Sequence, residues 1–125
     1  LVNFTDISQC DVVALGDRRV QLGRRVDERY RIPKVYETHE ELCGDPCIDA
    51  VVEITSGDMH APIAIDAMNA GKHVYLEKPM ATNLPDARTM VDTVDRNGVK
   101  LMFGYMKRYD PGIKLAKSII DKVRV

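Results

Sequence analysis

The residues best suited to chemistry in this 125-residue chain stand together in the run GKHVYLEKPMA, 71–81. An apolar stretch ends there in Glu77-Lys78-Pro79, an acid, a base and a chain-stiffening proline in succession. Lysine is a poor acid or base at its ordinary pKa of about 10.4, and burial beside a bound dinucleotide would bring it toward useful values. Glu77 is placed to hold a ribose, and Pro79 stiffens the turn and is compatible with a cis peptide bond. Read blandly, the same triplet is a charged turn after a strand.

Three further places carry polar residues behind an apolar run. Asp17 closes DVVALGD, 11–17. An acid at that point accepts hydrogen bonds from the adenosine ribose hydroxyls and repels a 2′-phosphate, which favours NAD over NADP. Arg18 and Arg19 pull the other way, because a guanidinium stacks on adenine or pairs with that phosphate. A helix-start acid placed for the macrodipole is the plain alternative.

TSGDMH, 55–60, supplies small residues and open N–H groups at a helix start, suited to a phosphate or a polar ring. His60 is then either part of that cleft or a first-turn surface residue. GYMKRYDPG, 104–112, puts Lys107 and Arg108 beyond the last apolar run. They make either a cationic wall for an anionic or hydroxylated ligand or a solvated loop.

The elements that must position these groups alternate. Runs 11–17, 34–37, 48–55, 72–77 and 99–105 read as strands. Between and after them RRVQLGRRVDERY, HEELCG, MHAPIAIDAMNA, LPDARTMVDTVDRNG and GIKLAKSIIDKV read as helices. Thr38 with Glu41 forms a capping box, and Asp58 is the expected cap of the third helix. Gly71 and Asn97-Gly98 are stops, while Pro85 and Asp110-Pro111 mark starts. Such alternation predicts an α/β fold, a doubly wound parallel sheet covered on both faces. Ligands of such sheets bind at the C-terminal strand ends, where all four polar places fall.

Composition narrows the rest. With 45% hydrophobic and 30% charged residues the chain is globular rather than disordered. A formal net charge of −1 gives no nucleic-acid footprint. No apolar run approaches the ~20 residues that span a bilayer, so no membrane partner is expected. Nor does the N-terminal stretch read as a signal peptide.

The 3 cysteines, Cys10, Cys43 and Cys47, lack disulfide spacing and point to a reducing, cytoplasmic setting. His39, Cys43 and Cys47 sit at metal-like intervals. Gly44, Asp45 and Pro46 break the helical face they would share, however, and no fourth ligand is near, so no metal is expected. A flavodoxin- or receiver-like domain would explain the alternation and leave the Glu77-Lys78-Pro79 run and the Arg108 loop unexplained.

Taken in order, the run from Ile48 to Pro111, with Glu77-Lys78-Pro79, His60 and Arg108 at their intervals, resembles the glucose–fructose oxidoreductase / inositol 2-dehydrogenase family of NAD(P)-dependent oxidoreductases. The resemblance implies that 1–125 is a partial NAD(P)-binding Rossmann domain, with 111–125 leading toward a second, substrate-binding α/β domain. It implies hydride transfer between a nicotinamide and a sugar, cyclitol or polyol hydroxyl, with NAD, or NADP, as cofactor. Lys78 would orient or deprotonate the reacting hydroxyl. Asp17 and Glu77 would hold the riboses, with Arg18, Thr55, Ser56, His60, Pro79 and Arg108 along the cofactor cleft.

On the family pattern a first strand and a glycine-rich loop precede Leu1, and Leu1 to Gln9 is the tail of the first helix. Their absence would leave two unpaired inner edges in the sheet. Ser56-Gly57 stands where the family commonly has proline and asparagine. The family's catalytic aspartate and histidine come from the second domain, so this chain alone is expected to be inactive and the full-length protein a homo-oligomeric enzyme. The other reading is a non-catalytic dinucleotide-binding regulator or sensor; Lys78, which a regulator does not need, separates the two.

Overall fold

The computed structural model describes residues 2–123; Leu1, Arg124 and Val125, which fall within the expected first and last helices, lie outside the described residues. Among the described residues five strands and six α-helices follow in chain order. They are α1 (Val2–Thr5), β1 (Ala14–Gly16), α2 (Val20–Tyr30), β2 (Lys34–Tyr36), α3 (His39–Gly44), β3 (Ala50–Glu53), α4 (His60–Asn69), β4 (His73–Leu76), α5 (Leu84–Asn97), β5 (Leu101–Phe103) and α6 (Pro111–Val123). A 3₁₀ turn, Met106–Tyr109, lies between β5 and α6 and has no counterpart in the sequence reading.

All strand pairings are parallel, as the alternation predicts, but the strands form two sheets rather than one. β1 pairs with β2, and β3, β4 and β5 pair in that order. Among the described residues β1 and β3 each pair on one side only, so each presents an open inner edge, as the resemblance implied.

Local chemistry sets the helix ends. Thr38 Oγ1 accepts the Glu41 N–H at 3.3 Å and opens α3. Asn83 Oδ1 accepts the Asp86 N–H at 2.9 Å and opens α5, with Pro85 in its first turn. Gly98 closes α5 at φ 64°, a left-handed conformation that glycine adopts without steric cost. Asp110 Oδ1 accepts the N–H groups of Gly112 (2.8 Å) and Ile113 (3.2 Å) and starts α6. Asp58, the expected cap of α4, does not cap it. Met59 occupies that position in a helical conformation, without a side-chain bond to the helix.

The core lies under the three-stranded sheet. α4 buries His60, Ala61, Ile63, Ala64, Ala67 and Met68, and its small alanines allow close packing. Val51, Val74 and Leu76 meet it from the strands, and Met90 from α5. Leu76, Met68 and Met90 are fully buried, and each such side chain stabilises the fold by about 1.5–3 kcal/mol relative to an exposed one.

A polar knot joins the two sheets. Asp45, just past α3, accepts Lys34 Nζ at 2.6 Å and Tyr36 Oη at 2.9 Å, both from β2. Its carbonyl accepts Lys72 Nζ, from the start of the β4 segment, at 2.9 Å. The Lys34 ammonium, then the Cys47 N–H and the Tyr36 hydroxyl, hold the Asp45 carboxyl well below the usual carboxylate range.

Candidate active-site edge

Because β3, β4 and β5 run parallel, the residues that follow them emerge on one edge. Thr55-Ser56-Gly57 follows β3, Glu77-Lys78-Pro79 follows β4, and Gly104 to Arg108 follows β5. These segments interlock. The Glu77 N–H donates to Glu53 O at 3.1 Å and the Gly104 N–H donates to Leu76 O at 2.8 Å, extending the sheet one step beyond its strands.

Glu77 is half-buried, and its Oε2 accepts the Lys78 N–H at 3.0 Å. Gly104 leaves the space its carboxylate uses. A Cβ at 104 would lie 3.1 Å from Tyr75 Oη and 3.2 Å from Glu77 Oε1. The Lys78-Pro79 peptide bond is cis.

Lys78 is exposed rather than buried, and among the described residues no carboxylate lies within ion-pair distance of its ammonium. With Gly104, Tyr105, Met106 and Lys107 it lines a cleft of about 280 Å³. Arg108 is exposed on the 3₁₀ turn, next to this wall but not in it. Lys107 lies 3.9 Å from Asp110 Oδ2.

On the β3 side, Thr55 and Ser56 are exposed, and Gly57 faces Pro79, to whose Cγ a Cβ at 57 would stand 3.7 Å away. The neighbouring Ser56 hydroxyl, with backbone N–H groups, holds the Asp58 carboxyl below its ordinary pKa. His60 departs from both expectations made for it. It is 2% exposed, neither on the surface nor lining an open cleft. Its Nδ1 lies 2.7 Å from Pro79 O and its Nε2 3.2 Å from Thr55 O.

Beneath it lies Glu53, 3% exposed, which the sequence reading passed over. Glu53 Oε1 accepts the Thr55 N–H at 2.8 Å and the Thr55 hydroxyl. The signal was present: AVVEIT is an apolar strand interrupted by one charge, and a buried charge needs a partner.

In the other sheet, Asp17 follows β1, and its N–H donates to Tyr36 O at 3.1 Å. Arg19 holds its carboxylate, with Nε on Oδ1 and Nη2 on Oδ2, both at 3.2 Å, and the Arg19 N–H on Oδ1 at 2.8 Å. The guanidinium contacts, followed by the N–H, lower the Asp17 pKa. Arg18 is exposed alongside. Asp17 keeps 26% of its side chain open and Arg19 75%, so this pair remains accessible.

Carboxylates after β1 and β4, small residues after β3, and a lysine on an open cleft define a dinucleotide-binding α/β domain. The described residues fit a nicotinamide cofactor. Asp17 and Glu77 offer acceptors for ribose hydroxyls, and the Thr55–Gly57 turn has no bulky side chain to bar a close approach.

Comparison with known proteins agrees. Residues 2–105 match the model of the GFO_IDH_MocA oxidoreductase family, NAD-binding Rossmann fold, and the chain belongs to that family. The inositol 2-dehydrogenase of Salmonella typhimurium is 32% identical over 92% of this chain and 35% of its own length. The trans-1,2-dihydrobenzene-1,2-diol dehydrogenase of Mus musculus is 31% identical over 90% of this chain and 34% of its own. A crystal structure of a probable dehydrogenase from Thermotoga maritima superimposes with a TM-score of 0.83 at 31% identity, covering 90% of this chain and 34% of that one. The chain thus spans about a third of the length of these relatives.

Proposed function

We propose that this chain is the cofactor-holding part of an NAD-dependent dehydrogenase that oxidises a ring-borne or polyol secondary hydroxyl. The observation that carries the reading is the exposed Lys78, held on the β4 turn above Glu77 and facing the cleft with Tyr105 and Lys107.

In this reading bound NAD supplies the hydride-accepting ring. Asp17 and Glu77 accept hydrogen bonds from its riboses, Arg18 lies against the adenosine end, and Thr55, Ser56, Pro79 and Arg108 border the cofactor. Lys78 orients the substrate hydroxyl and assists loss of its proton. Inositol and a trans-dihydrodiol, named for the relatives, are both carbocycles with adjacent secondary hydroxyls, and that class is the substrate proposed. Arg19, 75% exposed beside Asp17, is accessible to a 2′-phosphate, so NADP stands beside NAD as cofactor.

The test is a panel of cyclitols, sugars and dihydrodiols offered to the intact protein with NAD or NADP and followed by NADH or NADPH absorbance. Lys78→Ala is expected to lower turnover on the order of 10²–10⁴-fold, the usual weight of a positioned acid–base group. Full turnover by that variant would remove Lys78 from the mechanism. Cofactor binding without oxidation of any member would support the regulator.

A further inference from the structure

Two burials on this edge are anomalous singly and explain each other. His60 presents both ring nitrogens to backbone carbonyls, Pro79 O at 2.7 Å and Thr55 O at 3.2 Å. A carbonyl only accepts, so each nitrogen must bring a proton, and a ring with two N–H groups is an imidazolium. A cation buried to 2% exposure needs a countercharge.

Glu53 supplies one. Its Oε2 is fully buried with no hydrogen-bond partner, and it lies 3.5 Å from His60 Nε2. Its other oxygen is fully used by Thr55. Among the described residues no other group lies within ion-pair distance of either, and Asp58, two residues before His60, is a further acid whose charge is felt by the ring.

We infer that Glu53 and His60 form a buried carboxylate–imidazolium couple that ties the turn after β3 to the Pro79 carbonyl, and so fixes where Lys78 stands. The couple is a positioning device. Neither residue touches the cleft, and His60 acts through Pro79, the neighbour of Lys78 in the chain. Glu53 acts at both ends, orienting Thr55 through Oε1 and balancing His60 through Oε2. The catalytic part of the inference rests on the dehydrogenase reading; the charge state of the couple does not.

The decisive experiment is a long-range ¹H–¹⁵N spectrum of the imidazoles in the intact protein at neutral pH. His60→Gln identifies the His60 signals among the 3 histidines. Both His60 nitrogens are expected to show the shifts of protonated nitrogens, and Glu53→Gln, which keeps the shape and removes the charge, is expected to return the ring to a neutral tautomer. A neutral His60 in the unmodified protein, with the proton on Glu53, overturns the proposal whatever the enzyme's activity. So does an imidazolium that Glu53→Gln leaves unchanged.

Where a substrate has been found, Glu53→Gln and His60→Gln should each lower kcat, on the order of 10²-fold for a misplacement of about 1 Å. NAD affinity should change little, and the double variant should be no worse than the poorer single one. An unchanged kcat with a confirmed imidazolium would overturn the positioning role. Failure of the whole substrate panel leaves the spectrum to decide the couple.

Discussion

The two sheets of this protein are built to different standards. The three-stranded sheet carries the core: β3 and β4 alternate exposed and buried positions, and α4 lays six buried residues against it. In the two-stranded sheet no strand residue is fully buried, and most of the described side chains of α2 are exposed. The candidate lysine hangs from the first sheet and the candidate adenosine acid from the second. In the proposed function, the group that orients the substrate hydroxyl follows the better-buried sheet, and the group that accepts from a ribose follows the more exposed one.

The sharpest way to break that comparison is to cut the same side chain from both sheets. Leu76→Ala in β4 is expected to cost about 2–5 kcal/mol in denaturant unfolding, with the lost packing left partly as a cavity. Leu15→Ala in half-buried β1 should cost about 1 kcal/mol or less. Ala14 of β1 and Tyr36 of β2 already pack against the core cluster, so equal losses would mean that the edge contributed by the two-stranded sheet is as tightly packed as the centre.

A smaller effect tests the close packing under Glu77. Gly104→Ala puts a methyl 3.2 Å from Glu77 Oε1 and 3.1 Å from Tyr75 Oη. It should weaken NAD binding by about 1–3 kcal/mol as the carboxylate is displaced, read by isothermal titration of the intact protein. Gly57→Ala, with contacts of 3.7 Å and more, serves as the tolerant control.

Acid should sever the two sheets at their knot. The folded pKa of Asp45 is depressed, so its contribution is complete above the unfolded carboxylate value of about 3.9 and is lost as pH falls below it. Asp45→Asn should therefore melt below the unmodified protein at pH 7, and the gap should close as the pH is lowered through 4 toward 2. A gap independent of pH would mean that the carboxylate charge is not what joins them.

The mildest change concerns the adenosine end. Arg19→Ala frees Asp17 from its guanidinium and should shift preference from NADP toward NAD by roughly tenfold, about 1.4 kcal/mol. A shift toward NADP would reverse the roles assigned to the pair.

Much of this was legible in the sequence because it is local. The Thr38, Pro85, Gly98 and Asp110 signals each depend on residues within four positions, and each stands where expected. The expected strand runs contain the observed strands and extend beyond them, because apolar and β-branched residues continue past the paired ones, as Ile54 does at 64% exposure. Asp58 does not cap α4 because the helix starts one residue later, with Met59 at the cap position in a helical conformation. Of the site, strand-end logic placed Glu77, Lys78 and the β5 loop on one edge. It did not show His60 turned inward, because the partners that hold it, Pro79 O and Glu53, lie 19 and 7 residues away in the chain and meet it only in the folded protein.

Among the described residues β4 alone has a hydrogen-bonded neighbour on each side. Its amides should be among the last to exchange with deuterated water, whereas β1 and β3, each open along one edge, should exchange in an every-other-residue rhythm. Lys78 would then be suspended from the slowest-opening strand in the molecule, and Asp17 from one of the quicker ones. Any strand that came to lie between β1 and β3 would silence that rhythm on both, which makes the exchange pattern a direct reporter of whether the slot is filled.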